Sequence, residues 1–146
     1  MEQTDAAKAE RLTSRRARML PVLAVLFLGQ QASYFSGGWE GDRTVDHVRI
    51  SAWLVLSVVL LLALTTGGGW IYSKRVRDLA NDESTRAHRA DAFQWGFIAA
   101  MGACILMYGI SLFEPVGGRE AVHMVMTIGL ATALIRFGWL ERRAQS

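Results

Sequence analysis

The sequence predicts an all-α integral membrane protein, a four-helix bundle built from two hairpins. Three observations carry that prediction. First, four long apolar runs (19–36, 48–70, 92–113 and 121–140) each come close to the ~20 residues an α-helix needs to cross ~30 Å of hydrocarbon. Second, the chain is 51% hydrophobic yet 20% charged, the mixture that apolar spans with charged connections produce. Third, thirteen of the sixteen basic residues fall on one side of the resulting topology. Counting acids the same way gives faces of +5 and −2. The positive-inside bias then places both termini and the middle connection in the cytoplasm.

Residues 1–18 read as a polar, basic arm that is mobile or lies on the membrane surface, with Asp5 placed to cap a short helix. Pro21 suits the first turn of the first span. No A-x-A-like site follows this span, so it reads as a retained helix and not a cleaved signal. Its outer third is polar: Gln30, Gln31, Ser33, Tyr34 and Ser36. Adjacent glutamines cannot share one helix face, so at least one meets a neighbouring helix or an aqueous vestibule.

The outer connection GGWEGDRTVDH is Gly-rich and acidic, with Trp39 suited to headgroup level. The second span is rich in Leu and Val and runs into Gly67-Gly68-Gly69, then Trp70 and Tyr72. That run reads as a helix C-cap with an aromatic anchor, or else as a hinge for the connection beyond it. The third and fourth spans carry small residues four apart: Gly96 and Ala100, Ala99 and Ala103, Gly129 and Ala133. The first span adds Gly29 and Ser33. Such pairs permit close helix approach and favour a tight bundle. The lone Cys104 excludes an intramolecular disulfide and reads as a small core residue. The two halves share a plan, ending GGWIYSKR and FGWLERR, and a duplication would give parallel repeats about an axis along the membrane normal.

Few residues offer chemistry within the spans. Arg136 is the deepest strong charge, placed to snorkel to the basic face as an anchor. At the outer face Asp46, His47, Glu114, Glu120 and His123 fall near one depth. With Gln30, Gln31 and Tyr34 they form a candidate ligand or pH site, set against a plain rim network of His and acids. Their spacing matches no metal motif. No catalytic constellation, cofactor site or metal site is expected.

The most distinctive string is the longest connection on the basic side, KRVRDLANDESTRAHRADAFQWGF. Asp82 or Asn81 would cap a helix running through Arg89 into the third span, and Glu83 would pair with Arg86. The mixed charges of Asp82, Glu83, Arg86, His88 and Arg89 suit a protein partner. The basic face also attracts anionic headgroups at ~1 kcal/mol per cation, and it lacks a nucleic-acid reader module.

The LANDESTRAHR string, with FEPVGGREAVH and FGWLERR after it, resembles uncharacterised four-span inner-membrane proteins of bacteria, over roughly Lys74 to Arg143. The resemblance implies an inner-membrane location and a neighbouring helix-turn-helix regulator as partner. The leading expectation is therefore a non-enzymatic regulatory or accessory protein that binds a cytoplasmic partner through residues 74–91. The alternative is a small oligomeric transporter or channel using the polar end of the first span and the His/acid rim. A lipid-directed enzyme acting through His47 or His123 ranks last, because no nucleophile, base and orienting group occur together.

Overall fold

The computed structural model describes residues 4–36, 44–68 and 73–144, and at 33–36, 44–46 and 77 the backbone alone. It contains five helices among these residues: α1 (Asp5–Ser36), α2 (Thr44–Thr66), α3 (Lys74–Ala80), α4 (Glu83–Ser111) and α5 (Gly118–Arg143). Among the described residues three segments are long and apolar enough to cross a membrane: His47–Thr66 in α2, and the helices α4 and α5. Trp39, Trp70 and Tyr72 lie outside the described residues.

The first element departs from expectation. The basic arm and the first apolar run are one continuous helix of 32 residues, with Pro21 in its interior. At 1.5 Å per residue that helix is ~48 Å long, well beyond a ~30 Å hydrocarbon layer. The arm is held because Ala9 and Leu12 are buried in a small cluster with Val76 and Ala80 of α3. A second compensation deals with the proline. Pro21 has no N–H to give the carbonyl of Ala17 four residues back. That carbonyl instead accepts from Arg142 Nε at 3.1 Å.

The main core collects Leu20, Ala24 and Phe27 of α1, Trp53, Leu60 and Leu64 of α2, Ala92 of α4, and Ala133, Leu134 and Phe137 of α5. In α1 (Leu20, Ala24, Phe27) and α2 (Trp53, Leu60, Leu64) the spacings of three, four and seven keep each set on one helix face, whereas the adjacent Ala133 and Leu134 widen the buried face of α5. Helix α5 is the hub, packing against α1, α4 and α2. The small residues of α4 and α5 meet there. A Cβ on Gly96 would lie 2.9 Å from both Ala133 Cβ and the Gly129 carbonyl, and one on Gly129 would lie 3.1 Å from Ala100 Cβ. Gly138 admits Pro21 in the same way, a Cβ there falling 2.7 Å from the proline ring. Gly29, by contrast, faces open space, and Cys104 is exposed beside the buried Ala103.

Helix α2 ends as a C-cap. Gly67 and Gly68 both adopt left-handed backbone, φ +69° and +70°, which an L side chain resists.

Candidate functional site

The end of the bundle where the basic residues gather is organised by Arg16. Its position in the charged half of α1 gives no hint of burial, yet it is only 6% exposed. Nε donates to Glu141 Oε2 at 3.1 Å, and Nη2 lies 2.9 Å from the same oxygen. Nη1 donates to the Gly67 carbonyl (3.2 Å) and to Asn81 Oδ1 (3.1 Å). Nη2 donates to the Ala80 carbonyl (3.0 Å) and to Thr85 Oγ1 (3.4 Å). The guanidinium also lies 5.4 Å from the centre of the Phe137 ring. Burial pulls its pKa down from the ordinary value, and Glu141 opposes that shift.

The carbonyls in this set share an origin. The last turns of a helix leave C=O groups without an N–H donor, and the dipole makes that end negative. Arg16 serves such carbonyls beyond α2 and at the end of α3 at once. Arg89 Nη1 does the same for Thr65 in the last turn of α2, at 2.9 Å. Together with Arg142 on Ala17, three arginines of the basic end are committed to backbone carbonyls.

Residues 80–89 are thereby fixed to the bundle. Asp82 is the N-cap of α4, its carboxylate accepting from Thr85 N at 2.8 Å and from Ser84 Oγ at 3.0 Å. The Thr85 backbone bond chiefly holds the Asp82 pKa below the usual carboxylate value, against a smaller opposing effect of burial. His88 is half-buried, with Nδ1 3.2 Å from Glu141 Oε1, so Glu141 ties α1 and α4 to α5. In the same segment Leu79 is 56% exposed, and Asp82, Glu83 and Arg86 are exposed as well. Of the five residues singled out in the sequence, the structure turns His88 and Arg89 toward the bundle and leaves the other three at the surface.

The opposite end mixes buried polar groups with exposed ones. His123 is buried and stacks on Trp53 with centroids 3.9 Å apart, and Trp53 stacks in turn near Phe27 at 6.4 Å. Gln31 is buried, its Oε1 accepting from Thr127 Oγ1 at 3.1 Å and its Nε2 lying 3.7 Å from Met124 Sδ. Gln30 is half-buried, whereas His47, Glu114 and Glu120 are exposed. The structure therefore separates Glu120 from His123 in burial, although they share a face by spacing. The side chains of Tyr34 and Asp46 lie outside the described residues. Among the described residues no three His, Cys, Asp or Glu side chains group as a metal site.

The sequence reading missed Arg16, Asn81 as its acceptor, Glu141 and the Arg136–Asp91 pair. The last joins α5 to α4 through Nε to Oδ2 at 2.6 Å and Nη2 to Oδ1 at 3.4 Å, so Arg136 is more than a snorkelling anchor. For one further contact, Arg142 on the Ala17 carbonyl, the proline is a usable signal: a helix interrupted by Pro21 requires a donor for Ala17, and the arginines of α5 can supply it. No protein-family model, curated protein or solved structure matches the chain.

Proposed function

We propose that the protein is a non-enzymatic, membrane-embedded regulatory or accessory protein that holds a soluble partner on residues 74–91. The observation that carries this reading is the division of labour within that segment. Arg16, His88, Arg89 and the Asp82 cap fix its backbone from the inside, while Leu79, Asp82, Glu83 and Arg86 remain exposed outside. A fixed segment loses little conformational entropy on binding, and an exposed apolar residue with exposed mixed charges in the same segment suits an interaction centre with a polar rim. In this reading both termini and the platform are cytoplasmic, the membrane is a bacterial inner membrane, and the partner is a regulator of the helix-turn-helix kind that the sequence resemblance implies. The transporter reading draws less support, since Gln31 is occupied by Thr127 inside the bundle.

The test leaves the lock intact. Leu79→Asp, Glu83→Lys and Arg86→Glu change only exposed side chains, and the tagged protein is purified from its own cells with and without them. Loss of a soluble protein that co-purifies with the wild type, together with altered expression of that protein's target genes, is the expected result. An unchanged set of co-purifying proteins, with unchanged gene expression, would overturn the reading.

A further inference from the structure

Arg136 occupies a different setting from the arginines committed to carbonyls. An open groove of about 390 Å³ between α4 and α5 is lined by Trp95, Thr132, Ile135, Arg136 and Trp139. The Arg136 guanidinium lies 5.6 Å from the Trp95 ring centre and 5.2 Å from that of Trp139. Arg143, about two turns further on, lies 5.4 Å from a Trp139 ring centre. Both indoles are 47% exposed. Asp91 engages Nε and Nη2 of Arg136, and among the described residues Nη1 has no hydrogen-bond partner.

The depth of this groove narrows the choice of occupant. Arg136 lies eighteen residues beyond Gly118, the start of α5, a rise of ~27 Å and so nearly one hydrocarbon thickness. Trp residues at that level belong to the headgroup belt. Below them Ile135, 46% exposed, continues the groove toward the bilayer interior. Arg136, at the level of the indoles, and Asp91 and Arg143, nearer the basic end, together carry one net positive charge. Guanidinium groups match phosphate oxygens in geometry, and basic pockets between membrane helices bind anionic headgroups.

We propose that this groove is a site for a single anionic phospholipid. The phosphodiester would be held by Arg136 and Arg143 between the indoles, with an acyl chain laid along Ile135 and Thr132. This differs from diffuse attraction of lipid to a basic face, because it is stoichiometric and depends on named residues. Asp91 is the internal counter-ion that the lipid phosphate competes with. A soluble acidic peptide fits less well, since the lower groove is apolar and faces hydrocarbon.

The experiment is native mass spectrometry of the full chain in a neutral detergent, equilibrated with equal amounts of phosphatidylglycerol and phosphatidylcholine. The wild type is expected to retain one phosphatidylglycerol in preference to phosphatidylcholine. Arg136→Gln should reduce that retention about tenfold, the scale of one charged hydrogen bond, and Asp91→Asn should increase it. Arg15→Gln, an exposed cation on α1, should leave it unchanged. Soluble glycerol phosphate in excess should fail to displace the lipid. Equal retention of the two lipids, wild-type retention in Arg136→Gln, or displacement by glycerol phosphate would each overturn the assignment. Should Arg136→Gln fold poorly, the Asp91→Asn arm decides: no gain in retention there refutes the competition.

Discussion

Two arginine–carboxylate pairs stand at the same end of this bundle and do opposite work. Arg16–Glu141 is sealed, with both side chains 4% exposed, and every guanidinium nitrogen engages a carbonyl, an amide, a hydroxyl or a carboxylate. Arg136–Asp91 is open, with side chains 34% and 36% exposed and an accessible groove beside it. The difference is one of desolvation. Burying an ion pair costs more than the pair returns unless further hydrogen bonds satisfy it, and Arg16 has them. An exposed pair contributes little, and its arginine stays available to a ligand. Positive charge counted along a sequence therefore mixes two populations, structural cations and interacting ones.

The largest expected effect breaks the sealed pair. Arg16→Ala or Glu141→Ala leaves an uncompensated buried partner, which costs about 3–5 kcal/mol. Arg16→Ala should be the worse of the two, because the Gly67 and Ala80 carbonyls also lose their donor. Reversible unfolding in mixed detergent micelles measures both. Replacing the two together with Met and Leu should recover only part of the loss. Full recovery would show that the carbonyl contacts add nothing and that the pair alone accounts for the lock.

The next effect sharpens the comparison by testing closeness without charge. Gly138→Ala forces a methyl to 2.7 Å from Pro21, and Gly96→Ala forces one to 2.9 Å from the Gly129 carbonyl. Overpacking of this kind costs about 1–3 kcal/mol. Gly102→Ala, on the same helix as Gly96 but with nothing within 4 Å, should stabilise by up to about 1 kcal/mol through helix propensity. A loss at Gly102 equal to that at Gly96 would mean that the contact is not the cause.

How far the sequence could be read follows from the same distinction. Length and apolarity marked α2, α4 and α5, the small-residue pairs Gly96/Ala100 and Gly129/Ala133 marked a helix contact, and Asp82 marked the start of α4. These are local signals, legible because each is written within one or two turns. Arg16 was not legible. Its partners lie as far as 125 residues away, and a charged residue among charged neighbours looks like a solvated face until α3 and α5 fold against it. The arm 1–18 looks loose in the sequence for the same reason: Ala9 and Leu12 become a packing face only once Val76 and Ala80 are beside them. His123 and Glu120 share a helix face by spacing, yet their neighbours set their burial, and no local pattern supplies those.

A smaller effect lies at the cap that joins the sealed region to the exposed platform. Asp82→Ala should cost about 0.5–2 kcal/mol, felt first as faster amide hydrogen exchange over residues 83–89. Its pH dependence has a definite sign. The folded Asp82 carboxyl has a lowered pKa, so the cap contributes fully above the ordinary carboxylate value and is lost as pH falls through the folded one. Protection at 83–89 should therefore decline on acidification in the wild type and be already reduced, and flatter with pH, in Asp82→Asn, which keeps an acceptor oxygen without the charge.

The smallest effect is the most informative about function. Removing the Arg136 side chain in detergent free of anionic lipid should leave the unfolding midpoint within experimental scatter, because its ion pair is exposed and its ring contacts remain open to solvent. Adding phosphatidylglycerol should then separate the variants. A ligand that binds only the folded state raises stability in proportion to its affinity, so the wild type should shift upward and Arg136→Gln should not. Arg16 variants, destabilised from the start, should still gain from the lipid as the wild type does. If they lost that gain while Arg136→Gln kept it, the two arginines would have to exchange roles, the sealed one serving the membrane and the open one holding the fold.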